Sequence, residues 1–229
     1  MTQKTPLSKQ MELAALMVDM VIDGKSKALF LYGSPGIGKS SEVFSRFDQK
    51  QKVMGRDYVV VKGITRPMGL YMVLYDNRDG TIVFDDCDTA WGDNESANIL
   101  KAALELGDKR IVSFHSKAVK DAGIPTSFEF TGGVIFVSNI GEDAVDTAIR
   151  SRSYSYGVFA THDEMVALMH DKILLIEPSV RPSEKREVLD YIVSVSDKLR
   201  TFDLRTLVKA IKLRQYSSDQ WKELVPMFV

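Results

Sequence analysis

Lys27-Ala-Leu-Phe-Leu-Tyr-Gly-Ser-Pro-Gly-Ile-Gly-Lys-Ser-Ser41 is the stretch that decides the fold of this chain. Its first six residues are a short apolar run of strand type, and helical patterning begins at about Lys39 and reaches Phe47. Between them, Gly33-Ser34-Pro35-Gly36-Ile37-Gly38-Lys39-Ser40 has the spacing G-x-x-x-x-G-K-[ST]. In that pattern the glycines let backbone N–H groups wrap phosphate oxygens. The lysine neutralises β- and γ-phosphate charge, and the following hydroxyl ligates Mg²⁺ at the start of a helix. A random match over a chain of this length is expected on the order of 1% of the time. Residues Gly33, Ser34, Pro35, Gly36, Ile37, Gly38, Lys39, Ser40 and Ser41 are therefore the candidate nucleotide-binding set, with ATP and Mg²⁺ as the implied ligands.

Such a site needs an acidic residue at the end of a second strand, to hold the metal and orient an attacking water. Thr81-Ile-Val-Phe-Asp85-Asp86 supplies it, with Asp85 assigned to Mg²⁺ beside Ser40 and Asp86 to water activation. Further strands are expected at Tyr58–Lys62, Gly133–Ser138 and Tyr154–Phe159, by their β-branched and apolar content. Helices are expected at Met11–Ile22, Pro67–Tyr75, Glu95–Leu106 and Glu142–Arg150. Arg110–His115 and Phe128–Phe130 form a hairpin with a long polar tip, occupying about residues 110–130. Alternating strands and helices imply an α/β fold with a parallel sheet covered on both faces.

From Thr161 onward the strand signals stop, and helices are expected at Glu164–Ile176, Glu184–Lys198, Leu204–Tyr216 and Asp219–Pro226. Thr161 with Glu164 forms a capping box and Asp203 is a natural N-cap. The expected division is a nucleotide-binding α/β core over residues 1–160 and a small helical lid over 161–229. The chain's 229 residues suit one domain plus an appendage at roughly 150 residues per domain. Its 30 Lys and Arg against 31 Asp and Glu leave a net charge of −1, so affinity for a polyanion must be focused on particular loops. One cysteine, Cys87, excludes an internal disulfide and a multi-thiolate zinc site, which points to the cytoplasm. The apolar run Met11–Ile22 is interrupted by Glu12 and Asp19 and is too short to span a bilayer, so no membrane role is expected.

The two phosphate-site motifs, with Ser138-Asn139 after a core strand and Ala148-Ile-Arg-Ser-Arg152 before the last one, resemble the AAA+ ATPase family over about residues 10–216. The resemblance implies a P-loop NTPase core with a three-layer arrangement and a helical lid. It makes Asn139 the polar first sensor that helps place the attacking water. It makes Arg152, with Arg150 as the alternative, the arginine finger that reaches the γ-phosphate held by a neighbouring subunit, and Arg205 the second sensor on the lid. A planar cation there stabilises transition-state charge. The resemblance also implies a homo-oligomer, a ring such as a hexamer.

The hairpin before the sensor strand resembles that of the pre-sensor branch of the family, and its tip carries Lys117 and Lys120. The Arg66-Pro-Met68 segment stands where the family carries a loop facing a central pore. The wording around Phe84-Asp-Asp-Cys-Asp and Phe128-Glu-Phe-Thr-Gly resembles compact ATPases encoded by bacteriophages, which would place the protein in the host cytoplasm. The resulting expectation is a Mg²⁺-dependent ATPase acting on nucleic acid through these two loops. The other readings are a protein-remodelling ATPase on the same core, a small-molecule kinase, and a nucleotide-gated interaction module with little turnover. An aspartate at position 86 is one methylene shorter than the glutamate usual in this family, which keeps the last reading open.

Overall fold

A computed structural model of the chain describes residues 5–63, 66–87, 93–141, 143 and 147–228. Helix α1 (Leu7–Ile22) leads into β1 (Ala28–Gly33), α2 (Lys39–Gln49), β2 (Tyr58–Lys62), α3 (Pro67–Asp76) and β3 (Thr81–Asp85). Then come α4 (Asn94–Ala103), β4 (Ile111–Ser113), α5 (Lys117–Asp121), β5 (Ser127–Glu129), β6 (Gly133–Val137), α6 (Thr147–Arg150) and β7 (Tyr154–Val158). Five strands form one parallel sheet in the order β2-β3-β6-β1-β7. The fold class is α/β, as the alternation of strand and helix signals implies.

The sheet is buried on both faces, which is why its central strands read as unbroken apolar runs. Phe30, Ile82, Phe84, Val134 and Phe136 on one face pack with Leu70, Tyr71 and Leu74 of α3 and Ile99, Leu100 and Ala103 of α4. Leu29, Leu31, Val83, Ile135 and Val137 alternate to the other face and are equally buried. There Phe47 of α2 stacks on Tyr58 at 4.0 Å between centroids.

The β4–β5 pair is the expected hairpin, but its tip is not a polar loop. Residues Lys117–Asp121 form α5, capped by the Ser116 hydroxyl, which accepts from the Val119 N–H at 3.2 Å, and Val119 is fully buried. The tip is thus pinned to the core, with Lys117 and Lys120 on its exposed side. The hairpin's base is fixed by Arg110, only 2% exposed. Its guanidinium donates to Ala103 O at 2.9 Å and Gly132 O at 2.6 Å and lies 4.9 Å from the Phe130 ring centre. Burial pushes the Arg110 pKa down from its ordinary value.

The chain divides into two compact units: Ser8–Gly33 with Lys39–Val158, and Ser34–Gly38 with Phe159–Val229 and the N-terminal residues through Leu7. The second unit holds α7 (His162–Lys172), α8 (Pro182–Ser194), α9 (Leu204–Tyr216) and α10 (Trp221–Phe228). Val188, Leu189, Ile192, Leu207, Ala210, Ile211, Trp221 and Val225 are buried within it. The Thr161–Glu164 capping box is formed, and Glu164 Oε1 also accepts from the Leu7 N–H at 2.9 Å. The expected Glu184–Lys198 helix is shifted and divided: α8 starts at Pro182, whose fixed φ suits a first helical turn, and a separate 3-10 turn covers Ser196–Lys198. The expected helix from Glu142 is described only as the short α6, since residue 142 and residues 144–146 lie outside the described set.

Candidate nucleotide site

The phosphate-type loop begins where β1 ends, and its glycines are required by geometry. A Cβ on Gly33 would lie 1.9 Å from Val158 O on the adjacent strand, so no side chain fits there. Gly36 and Gly38 both have positive φ, +62° and +93°. Within the second unit, Leu204 N–H donates to Gly36 O at 3.1 Å and Ala160 N–H to Ser34 Oγ at 3.2 Å. Ile37 is buried, Pro35 and Ser41 are exposed, and α2 starts at Lys39.

Lys39 is 5% exposed, and its Nζ donates to Gly33 O and to Asn139 Oδ1, both at 3.0 Å. Asn139, just past β6, donates through Nδ2 to Asp86 Oδ1 at 2.8 Å. The Asp86 N–H donates back to Val137 O of β6 at 3.0 Å. Lysine, amide and carboxylate therefore form one connected line drawn from the first residue of α2 and from just past the carboxyl ends of β6 and β3, the edge of a parallel sheet where ligands bind. Beside it, Ser40 Oγ donates to Asp85 Oδ1 at 2.6 Å, and Lys62 Nζ lies 2.8 Å from Asp85 Oδ2. Asp85 is 3% exposed.

Asp86 has φ +54°, a left-handed conformation that aspartate adopts more readily than glutamate or branched residues. That backbone gives a local reason for the shorter acid at this position.

Among the described residues, no group of three or more His, Cys, Asp or Glu side chains could hold a metal ion. A hydroxyl and one carboxylate within 2.6 Å of each other nevertheless fit Mg²⁺, which takes hard oxygen donors and keeps water and phosphate oxygens for the rest of its shell. Cys87 is turned away from this role, since its thiol donates to Val61 O at 3.1 Å.

The arginines stand differently. Arg152 is paired with Glu105 at 3.3 Å with its side chain 28% exposed, and Arg150 with Asp143 at 3.4 Å. Arg205 is exposed on the first turn of α9, in the other compact unit. Met68 lies in α3, as the expected Pro67–Tyr75 helix has it, and not in the loop that the family resemblance implies: Pro67 starts α3, and Met68 packs partly buried against the core, while Arg66 is exposed. Residues 64 and 65 lie outside the described set.

Two partners in this region, Lys62 and Glu105, are not singled out by sequence reasoning. Lys62 becomes a partner only through the parallel pairing of β2 with β3, which sets the last residues of these two five-residue strands directly opposite each other. Nothing local in the sequence marks Glu105 as the partner of Arg152.

The RuvB Holliday junction branch migration motor of Thermotoga maritima superposes on 91% of the chain with a TM-score of 0.55 at 14% identity. The chain shares the RuvB fold. A mutant of the same protein matches equally, with a TM-score of 0.56, 14% identity and 91% coverage. The chain spans about three fifths of these RuvB chains, 61% and 62%. In sequence, it is 27% identical over 241 aligned positions to an uncharacterized 36.7 kDa protein from the nrdC-mobD intergenic region of Enterobacteria phage T4, covering 96% of the chain and 74% of that protein. No protein-family model matches the sequence. Among the described residues, no helix is long and apolar enough to cross a membrane.

Proposed function

We propose that the chain is an AAA+ ATPase that hydrolyses ATP at the subunit interfaces of a homo-oligomeric ring, such as a hexamer, and acts on nucleic acid. The observation that carries this reading is the connected line Lys39–Asn139–Asp86 next to the Ser40–Asp85 pair, at the carboxyl edge of a sheet with the RuvB fold. The loop Gly33–Ser41 would cradle the phosphates, with Lys39 releasing Asn139 to neutralise the γ-phosphate. Asp86 and Asn139 would then orient the attacking water. Ser40 and Asp85 would hold Mg²⁺, which supplies charge neutralisation across the β- and γ-phosphates. Residues 1–160 are the proposed ATPase core and 161–229 the lid, with Arg205 linking the lid to the nucleotide.

Arg152 is the proposed finger offered to the neighbouring subunit. Its ion pair with Glu105 is partly exposed, and such pairs exchange at small energetic cost. Likeness to a Holliday junction motor supports nucleic acid as the polymer, with the exposed Lys117, Lys120 and Arg66 as its contacts. The phage relative supports a host-cytoplasmic setting.

A second reading is favoured by one observation. Asp86 is both short and bonded to Asn139, so a nucleotide-gated module with slow turnover uses the same residues. Phosphate release and solution mass, measured with and without DNA and a slowly hydrolysed ATP analogue, separate the two. Assembly with DNA-stimulated turnover, lost in Lys39→Ala and Arg152→Ala, supports the ATPase. Assembly on ATP without phosphate release supports the gated module, and a monomer under every condition overturns the finger-in-trans arrangement.

A further inference from the structure

The two oxygens of the Asp85 carboxylate face different partners: Oδ1 accepts from Ser40, and Oδ2 meets the Lys62 ammonium at 2.8 Å. The burial of the two ends is opposite. The Asp85 side chain is 4% exposed and that of Lys62 is 67% exposed. A buried carboxylate must be compensated by a nearby cation, because desolvation leaves the bare charge unstable. Lys62 provides that cation from the last position of β2, directly across the parallel pair from Asp85.

A divalent ion held by Ser40 and Asp85 would share this carboxylate with the ammonium. Coulomb repulsion between a divalent ion and an ammonium drawn to the same carboxylate, even under water-like screening, amounts to about a tenfold difference in affinity. The ammonium can retreat, since two thirds of its side chain is already in solvent, and the buried carboxylate cannot.

We propose that Lys62 is the resident counter-ion of the metal position. It holds Asp85 in place before nucleotide arrives, and it must yield for the Mg²⁺–nucleotide complex to seat, so it sets the metal affinity of the site. This rests on the nucleotide-site reading above. A purely structural ion pair would instead affect the anchoring of β2 and leave metal affinity unchanged.

The test is a Mn²⁺ titration followed by electron paramagnetic resonance, on the full chain saturated with a slowly hydrolysed ATP analogue. Lys62→Met is expected to bind Mn²⁺ about tenfold more tightly than wild type, and Lys62→Arg to match wild type. A Lys62→Met chain that binds Mn²⁺ no more tightly than wild type overturns the inference alone. A wild-type chain that retains neither nucleotide nor Mn²⁺ overturns the nucleotide-site reading itself. Should Lys62→Met fail to fold, the wild-type protein decides: the nitrogen-15 resonance of the Lys62 ammonium, assigned with Lys62→Arg, is expected to hold still on adding nucleotide alone and move when Mg²⁺ follows. A resonance that ignores Mg²⁺ in the nucleotide-loaded chain overturns the proposal.

Discussion

Gly36 and Asp203 are packed so closely that a methyl group on Gly36 would lie 2.3 Å from the Asp203 carboxyl carbon. Asp203 is the N-cap of α9, 6% exposed, and accepts from the Thr206 N–H at 2.9 Å, while the Leu204 N–H donates to Gly36 O. The middle glycine of the loop and the start of α9 are thus one packed unit. Gly36→Ala must place a side chain at φ +62° and expel the capping carboxylate. The expected loss is about 2–3 kcal/mol from left-handed strain plus a lost cap. Urea denaturation checks it, and a change below about 0.5 kcal/mol would contradict the packing.

The left-handed backbone at Asp86 separates stability from chemistry. Asparagine tolerates that conformation, so Asp86→Asn should fold normally and lose about a hundredfold or more in ATP turnover. Glutamate tolerates it less well, so Asp86→Glu should destabilise by about 1 kcal/mol. Thermal melts and phosphate-release assays on the two variants give the comparison. An Asp86→Asn chain with wild-type turnover would remove Asp86 from the mechanism.

Arg110 anchors the hairpin through two neutral acceptors, the carbonyls of Ala103 and Gly132. Arg110→Met leaves both oxygens without this donor, with an expected loss of about 2 kcal/mol. Arg110→Lys should not recover it, because one ammonium does not reproduce a fork that reaches two carbonyls. Limited proteolysis between residues 110 and 130, read beside chemical denaturation, shows whether the hairpin loosens first.

Asp93 caps α4 by accepting from the Ser96 N–H at 2.9 Å, and that bond holds its carboxyl below the ordinary aspartate range. A lowered folded-state pKa means that the cap stabilises fully above the unfolded aspartate pKa. The contribution is lost as pH falls through the lower, folded value. Asp93→Ala should therefore cost about 1 kcal/mol near neutral pH, and its difference from wild type should shrink in acid. Denaturation at neutral and acidic pH measures this, and a difference that grows in acid would have the wrong sign.

The parts of this molecule legible in sequence are those whose signals are local. The loop Gly33–Ser40, the strand ends at Asp85 and Asn139, and the caps at Thr161 and Asp203 each follow from a short pattern and its flanks. Helix α5 escapes such a reading because five residues carry too little periodicity, although Ser116 is a legitimate cap. At Met68 a pore-loop analogy points to a loop, but the proline that starts α3 is the stronger local signal. The partners Lys62 and Glu105 depend on which strands and loops become neighbours, and β3 pairs with both β2 and β6, an order that no residue pattern states.

The Lys62–Asp85 pair also favours the observed register of the sheet over its neighbours. Strand β2 is an edge strand held by one neighbour in the sheet, β3, where a slip of one residue would reverse its faces. Such a slip would put Val61 or Gly63 opposite Asp85 and leave a buried carboxylate without its ammonium, so misaligned chains are penalised electrostatically at the site that would bind the metal.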